Sequence, residues 1–161
     1  MIDIVNMLLK NNKSNKIKLL IAGEIIDRNY FYYLKKKIIK LKLSNNIKFV
    51  KFTDIKYFFS RIDFLISARD DEAFGRTLVE SYLYKIPYFV TNMAGHKEIH
   101  KMLDGGILYT KNHKNSLIIN FNRLISKQYI REYYYKHDIN KVEKNFGENQ
   151  HKLILNLYKY L

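Results

Sequence analysis

Phe64-Leu65-Ile66-Ser67 leads into Glu72-Ala73-Phe74-Gly75-Arg76-Thr77-Leu78-Val79-Glu80. The first run has the length and apolarity of a buried strand. The second opens on a carboxylate and a Phe-Gly pair, then closes on another carboxylate inside an apolar helical run. Together they read as strand, loop and a helix from Gly75 to Tyr84. Gly75 opens that helix, so the backbone N–H groups of Arg76, Thr77 and Leu78 face out of its N-terminus. Such donors and the helix dipole suit a diphosphate, and glycine allows a ligand close to the backbone. A carboxylate accepts two hydrogen bonds from neighbouring hydroxyls. Glu80 therefore suits a ribose diol and Glu72 a sugar hydroxyl. A plainer reading stands beside this one: Glu72 as a loop acid favouring the helix N-terminus, Glu80 as an exposed helical residue.

Outward from this stretch, strand-like and helix-like segments alternate. Ile17 to Ala22 reads as a buried strand stopped by Gly23. Phe31, Leu34, Ile38 and Leu41 recur at helical spacing, and Ser44-Asn45-Asn46 ends that helix. Ile47 to Val50 is a short strand, and Asp54 caps a short helix through Phe59. Pro87 breaks the chain before a strand from Tyr88 to Thr91. Lys97 to Met102 predicts a short helix stopped near Asp104-Gly105, and Gly106 to Tyr109 a last strand. Helices follow, with Leu117, Ile118, Phe121, Leu124 and Ile125 on one apolar face. This alternation predicts an α/β fold: a Rossmann-like parallel sheet with helices on both faces. Ligands of such sheets bind at the carboxyl ends of strands, where the Glu72 loop lies.

Composition narrows the classes. The chain has 161 residues, 47% of them hydrophobic, with one proline and six glycines, which fits one folded domain rather than a linker. It has no cysteine, hence neither disulfides nor thiolate zinc sites. No apolar run is long enough to span a bilayer, and Met1 to Lys10 carries Asp3 and lacks signal-peptide character. A cytoplasmic location is the expectation. The net charge of +14 raises a nucleic-acid reading. Its distribution argues against one: Met1–Ser60 holds 13 basic and 4 acidic residues and Lys111–Leu161 holds 10 and 4, whereas Arg61–Thr110 holds 6 and 7. The basic flanks suit solvent or peripheral contact with an anionic membrane.

Several segments in this order resemble the C-terminal, nucleotide-sugar donor lobe of GT-B glycosyltransferases of family 4, the "group 1" transferases. Lys18-Leu19-Leu20-Ile21-Ala22-Gly23-Glu24 resembles that family's second strand and glycine. Ile47-Lys48-Phe49-Val50-Lys51-Phe52-Thr53-Asp54 resembles its third strand and base-side loop. Glu72 to Glu80 resembles its paired-glutamate motif. Asn92-Met93-Ala94-Gly95-His96-Lys97-Glu98-Ile99 resembles the turn after its fifth strand. Asp104-Gly105-Gly106-Ile107-Leu108 resembles its approach to the sixth. Phe146-Gly147-Glu148-Asn149-Gln150, with Leu157-Tyr158, resembles its terminal helix. The resemblance implies a retaining transfer of a hexose from a UDP-, GDP- or ADP-sugar to a glycan or lipid-linked acceptor, as in cell-surface polysaccharide synthesis, with no metal or other cofactor. It implies that Glu72 contacts the transferred sugar as catalytic residue. Phe74, Gly75, Arg76, Thr77, Leu78, Glu80 and Gly23 would bind the donor, and Lys51 and Phe52 would lie near the base. The family carries glycine where Lys51 stands. Its first strand, an Arg…Lys phosphate clamp and the acceptor-binding N-terminal lobe find no match here. The chain therefore reads as a truncated lobe: residues 1–145 bind donor, and residues 146–161 form a helix directed at the absent N-terminal lobe. Alone it is expected not to transfer sugar. The alternative is a non-catalytic remnant or split-gene fragment that binds nucleotide weakly or pairs with a partner lobe.

The remaining candidates have simpler readings. His96 and His100 stand four apart, the spacing of a metal pair, but no third ligand is evident, so they read as surface or loop histidines. Glu98 reads either as a donor contact or as an acid capping the short helix, Asp70-Asp71 as a solvated loop, and Lys35-Lys36-Lys37 as an exposed helix face. Tyr133-Tyr134-Tyr135 reads as a cluster that packs a helix on its neighbour.

Overall fold

The computed structural model describes residues 1–11, 17–51, 54–69 and 73–147. The chain divides into two compact units, Met1–Thr53 and Asp54–Leu161.

The first unit holds α1 (Ile2–Asn11), β1 (Leu19–Ala22), α2 (Arg28–Lys40) and β2 (Ile47–Val50). β1 and β2 run parallel, with Leu19 opposite Ile47 and Ala22 opposite Val50. α1 buries Ile2, Val5 and Leu8, one face at helical spacing. Asp27 caps α2 by accepting the Tyr30 N–H at 3.0 Å. The Phe31 ring packs edge-on against Phe49 of β2 at 4.9 Å. α2 closes at Leu41, before the predicted Ser44-Asn45-Asn46 stop, because Lys42 turns to φ 58°.

The second unit holds α3 (Ile55–Phe59), β3 (Leu65–Ser67), α4 (Arg76–Leu83), β4 (Tyr88–Thr91), α5 (Ala94–Leu103), β5 (Gly106–Tyr109), α6 (Lys114–Leu124) and α7 (Lys127–Lys136). Residues 140–147 are helical, so this helix crosses the boundary expected at 145/146, and Phe146 packs against the core of its own unit. Asp54 caps α3 as predicted, accepting the Tyr57 N–H at 2.8 Å. The sheet is parallel in the order β3-β4-β5. β4 is central, and all four of its residues are buried, as a strand covered on both faces requires. Tyr88 and Val90 join Leu78, Val79, Tyr82, Ile99, Leu103 and Val142 in one cluster beneath α4 and α5. Phe89 stacks on Tyr109 at 4.6 Å and meets Phe121 of α6 at 5.7 Å. Full burial of each such side chain contributes roughly 1.5–3 kcal/mol.

The α/β class, parallel strands and flanking helices agree with the sequence reading. The expected single sheet is two, β1–β2 and β3–β4–β5. No strand among the described residues pairs with the open edge of β1 or β3. α5 begins at Ala94, earlier than the predicted Lys97, and Asp104 ends it in a left-handed turn at φ 50°. On α6 the buried face is Leu117, Phe121 and Leu124, whereas Ile125 is exposed because it is the residue where the helix ends.

Candidate functional site

β3 and β4 each deliver the chain to a helix at their carboxyl end. Gly75, the N-cap of α4, takes φ 68° and ψ 41°, a left-handed conformation that costs other residues about 1–2 kcal/mol. A Cβ on Gly75 would lie 3.5 Å from Ile99 Cγ1, 3.7 Å from His96 Cδ2 and 3.8 Å from the Gly95 carbonyl oxygen. The first turns of α4 and α5 therefore abut.

Among the described residues neither of these helix starts has a side-chain cap. By contrast α2, α3, α6 and α7 are capped by Asp27, Asp54, His113 and Ser126. The first turns of α4 and α5 thus meet without a side-chain cap from their N-cap residues, Gly75 and Met93. Their dipoles also add at one place. The N–H groups of Arg76 and Thr77 have no acceptor among the described residues. The Leu78 N–H does: it donates to the Gly75 carbonyl at 2.9 Å, and the Leu78 side chain is fully buried in the core. The first turn is tightened to i→i−3 bonding. This removes Leu78 from the three open donors that the sequence reading assigned.

Glu80 lies one turn beyond Arg76 and is half-buried, not the exposed helical residue of the plainer reading. Burial raises its carboxyl above the ordinary range, partly offset by the Arg76 guanidinium. The carboxylate makes no hydrogen bond or ion pair with the described residues. Arg76 and Thr77 are exposed. Phe74 is 47% exposed, its ring held edge-on by Phe146 at 5.8 Å.

His96 is not a surface histidine: it is 1% exposed. Its Nδ1 lies 2.9 Å from Thr91 Oγ1, which itself donates to the Arg69 carbonyl. This chain of contacts ties the end of β4 to the segment after β3. The signal was present in the spacing, because His96, Ile99 and Leu103 fall on one helix face and the other two are buried core residues. His100 is partly buried, near the Tyr88 hydroxyl at 3.3 Å and the Asp104 carboxylate at 3.7 Å. Burial lowers its pKa, with Asp104 opposing. Glu98 is exposed. Among the described residues no group of three or more His, Cys, Asp or Glu is placed to hold a metal ion.

In the first unit, Gly23 follows β1 and Lys51 follows β2. They stand next to the paired Ala22 and Val50, at the same carboxyl edge, and both are exposed. Glu72, Phe52 and Asp70-Asp71 lie outside the described residues, as does the terminal segment 148–161.

The family model described as "Glycosyl transferases group 1" matches residues 1–152. A search of curated proteins gave no match. Among solved structures, a glycosyltransferase from Rickettsia africae superposes with a TM-score of 0.75 at 26% identity, over 99% of this chain and 44% of that one. Alr3699/HepE from Anabaena, solved with UDP and glucose, gives 0.74 at 21%, over 99% and 44%. The C-terminal domain of a group 1 family protein (LpcC) from Francisella tularensis gives 0.71 at 20%, over 91% and 77%. The chain spans less than half the length of the first two and most of the isolated C-terminal domain. Its fold is that of the C-terminal lobe of a GT-B glycosyltransferase. The chain belongs to the group 1 glycosyl transferases.

Proposed function

We propose that this chain is the donor-binding part of a retaining glycosyltransferase. It takes a nucleoside-diphosphate hexose and presents it to a glycan or lipid-linked acceptor held by an N-terminal lobe. The observation that carries this reading is Glu80: a half-buried carboxylate, unpaired among the described residues, one turn from two abutting helix N-termini without side-chain caps. Ionised, it accepts both hydroxyls of a ribose, while the Arg76 and Thr77 N–H groups meet the diphosphate. Glu72 would contact the transferred sugar, and Gly23, Lys51 and Phe52 would serve the donor and its base. Catalysis would rest on positioning and on stabilising the leaving diphosphate, with no metal required. In Alr3699/HepE, UDP-glucose is the molecule bound, which favours a UDP-sugar here. The acceptor is supplied by another lobe, so this chain alone would bind nucleotide without transferring sugar.

The place of work would be the cytoplasmic face of a membrane, in cell-surface polysaccharide synthesis. Among the described residues no helix is long and apolar enough to cross a membrane. The solvent side of α2 carries exposed Tyr32, Tyr33 and Ile39 among exposed Lys36 and Lys40, a combination suited to anionic headgroups.

Calorimetric titration with UDP, GDP and ADP tests the donor reading. One of the three is expected to bind at least about tenfold more tightly than the others, a difference of about 1.4 kcal/mol. Absence of binding by all three to the folded chain contradicts it.

A further inference from the structure

A cavity of about 570 Å³ opens between α5, β5, α6 and α7. It lies at the C-terminal ends of α4 and α5, whereas the candidate donor site lies at their N-terminal ends. Its size is in the range of small-molecule sites. The proposed transfer reaction leaves it unused.

The wall is aromatic. Tyr129 and Tyr133 stack at 6.5 Å with an interplanar angle of 21°, and the Arg123 guanidinium lies 5.9 Å from the Tyr129 ring centre. Arg123, Lys136 and Lys141 line the cavity, and none has an ion-pair partner among the described residues. Two acids share the lining, but each has its own contact. Asp104 faces His100 at 3.7 Å, and Glu132 accepts from Gln128 at 2.9 Å. Lys141 Nζ donates to the Leu103 carbonyl at 3.4 Å, so Arg123 and Lys136 are the cations without a hydrogen-bond or ion-pair partner among the described residues.

Tyr133 supplies the second observation. It is 6% exposed, and its buried hydroxyl has no hydrogen-bond partner among the described residues. An unpaired buried hydroxyl costs about 1–3 kcal/mol. The other buried tyrosines avoid this cost. The Tyr82 hydroxyl donates to the Asp138 carbonyl at 2.9 Å, the Tyr88 hydroxyl accepts the Gly105 N–H at 3.0 Å, and the Tyr109 hydroxyl donates to the Ser67 carbonyl at 3.0 Å. Tyr133 alone among them keeps an unpaired hydroxyl, and Tyr133 is a residue of the cavity lining.

We propose that this cavity binds a small molecule in which a flat ring carries an anionic group, phosphate or carboxylate. The ring packs on Tyr129 and Tyr133, the anion meets Arg123, Lys136 and Lys141, and an acceptor on the ligand takes the Tyr133 hydroxyl. The site would act apart from the donor, as an auxiliary or regulatory ligand site.

Titration of the full chain with phenyl phosphate, benzoate and inorganic phosphate tests this. At least one ring-bearing anion is expected to bind ten times more tightly than inorganic phosphate, and the better of the two identifies the anionic group. Tyr133→Phe and Arg123→Ala are each expected to weaken that binding at least tenfold. Tyr133→Phe removes an unpaired buried hydroxyl, so its melting temperature should equal or exceed that of the parent. Saturating UDP should not compete. Lack of binding by both ring anions, binding that survives both substitutions, displacement by UDP, or a clear fall in the Tyr133→Phe melting temperature would overturn the proposal. If UDP itself fails to bind, the donor reading falls and the cavity result still stands on its own variants.

Discussion

Glu80→Gln is expected to raise the melting temperature at pH 7 and to weaken nucleotide binding by about 10- to 100-fold. Both effects follow from one carboxylate. Burial raises the Glu80 pKa in the folded chain above the ordinary 4.5, with Arg76 partly opposing. As pH rises through 4.5 the unfolded chain loses its proton first. The folded chain must then ionise a half-buried group, so stability falls until pH passes the raised folded value. Above that window the parent carries the full penalty and the neutral amide does not. The stabilising effect of Glu80→Gln should therefore be present at pH 7 and vanish as pH falls to about 4.5. Nucleotide binding has the opposite dependence. The ionised form accepts both ribose hydroxyls, so affinity should decline as pH falls through the raised pKa. Melting curves and titrations across pH check both signs. A variant that loses stability at pH 7 and keeps its affinity would mean that Glu80 is a structural residue.

Gly106→Ala is expected to cost about 3 kcal/mol, a fall in melting temperature of roughly 6–12 °C for a chain of this size. Gly106 pairs with Tyr88 across β4 and β5. A Cβ there would collide with the Tyr88 carbonyl oxygen and with Cδ2 and Cγ of its ring. The carbonyl belongs to the central strand and cannot swing aside. The ring is fixed as well, because its hydroxyl accepts the Gly105 N–H and the residue is fully buried. Thermal unfolding monitored by circular dichroism reads the effect. A melting temperature within about 2 °C of the parent would show that β5 does not press on β4 as described.

Much of this arrangement was legible in the sequence because it rests on local rules. β2, β4 and β5 fall where short apolar runs bounded by turn residues put them, and Asp54 caps α3 as its position predicts. Gly75 could be read as a helix start because few other residues tolerate its φ. Features set by tertiary contact were harder to read. Leu78 was counted among the open donors, but the tightening of the first turn gave its N–H to Gly75. The lack of a third ligand makes His96 read as a surface or loop histidine, although the face shared with Ile99 and Leu103 buries it. The expected single sheet became two, since no strand among the described residues joins β1 to β3. The half-burial of Glu80 and the missing partner of Tyr133 depend on neighbours distant in sequence, which spacing alone does not reveal.

The measurement closest to the central claim is a nitrogen-15 chemical-shift titration of the labelled chain with the nucleotide that calorimetry selects. The account predicts that the Arg76 and Thr77 amides move most and that the Leu78 amide, already bonded to Gly75, moves less. Unmoved Arg76 and Thr77 amides, with the largest shifts elsewhere in the chain, would contradict it.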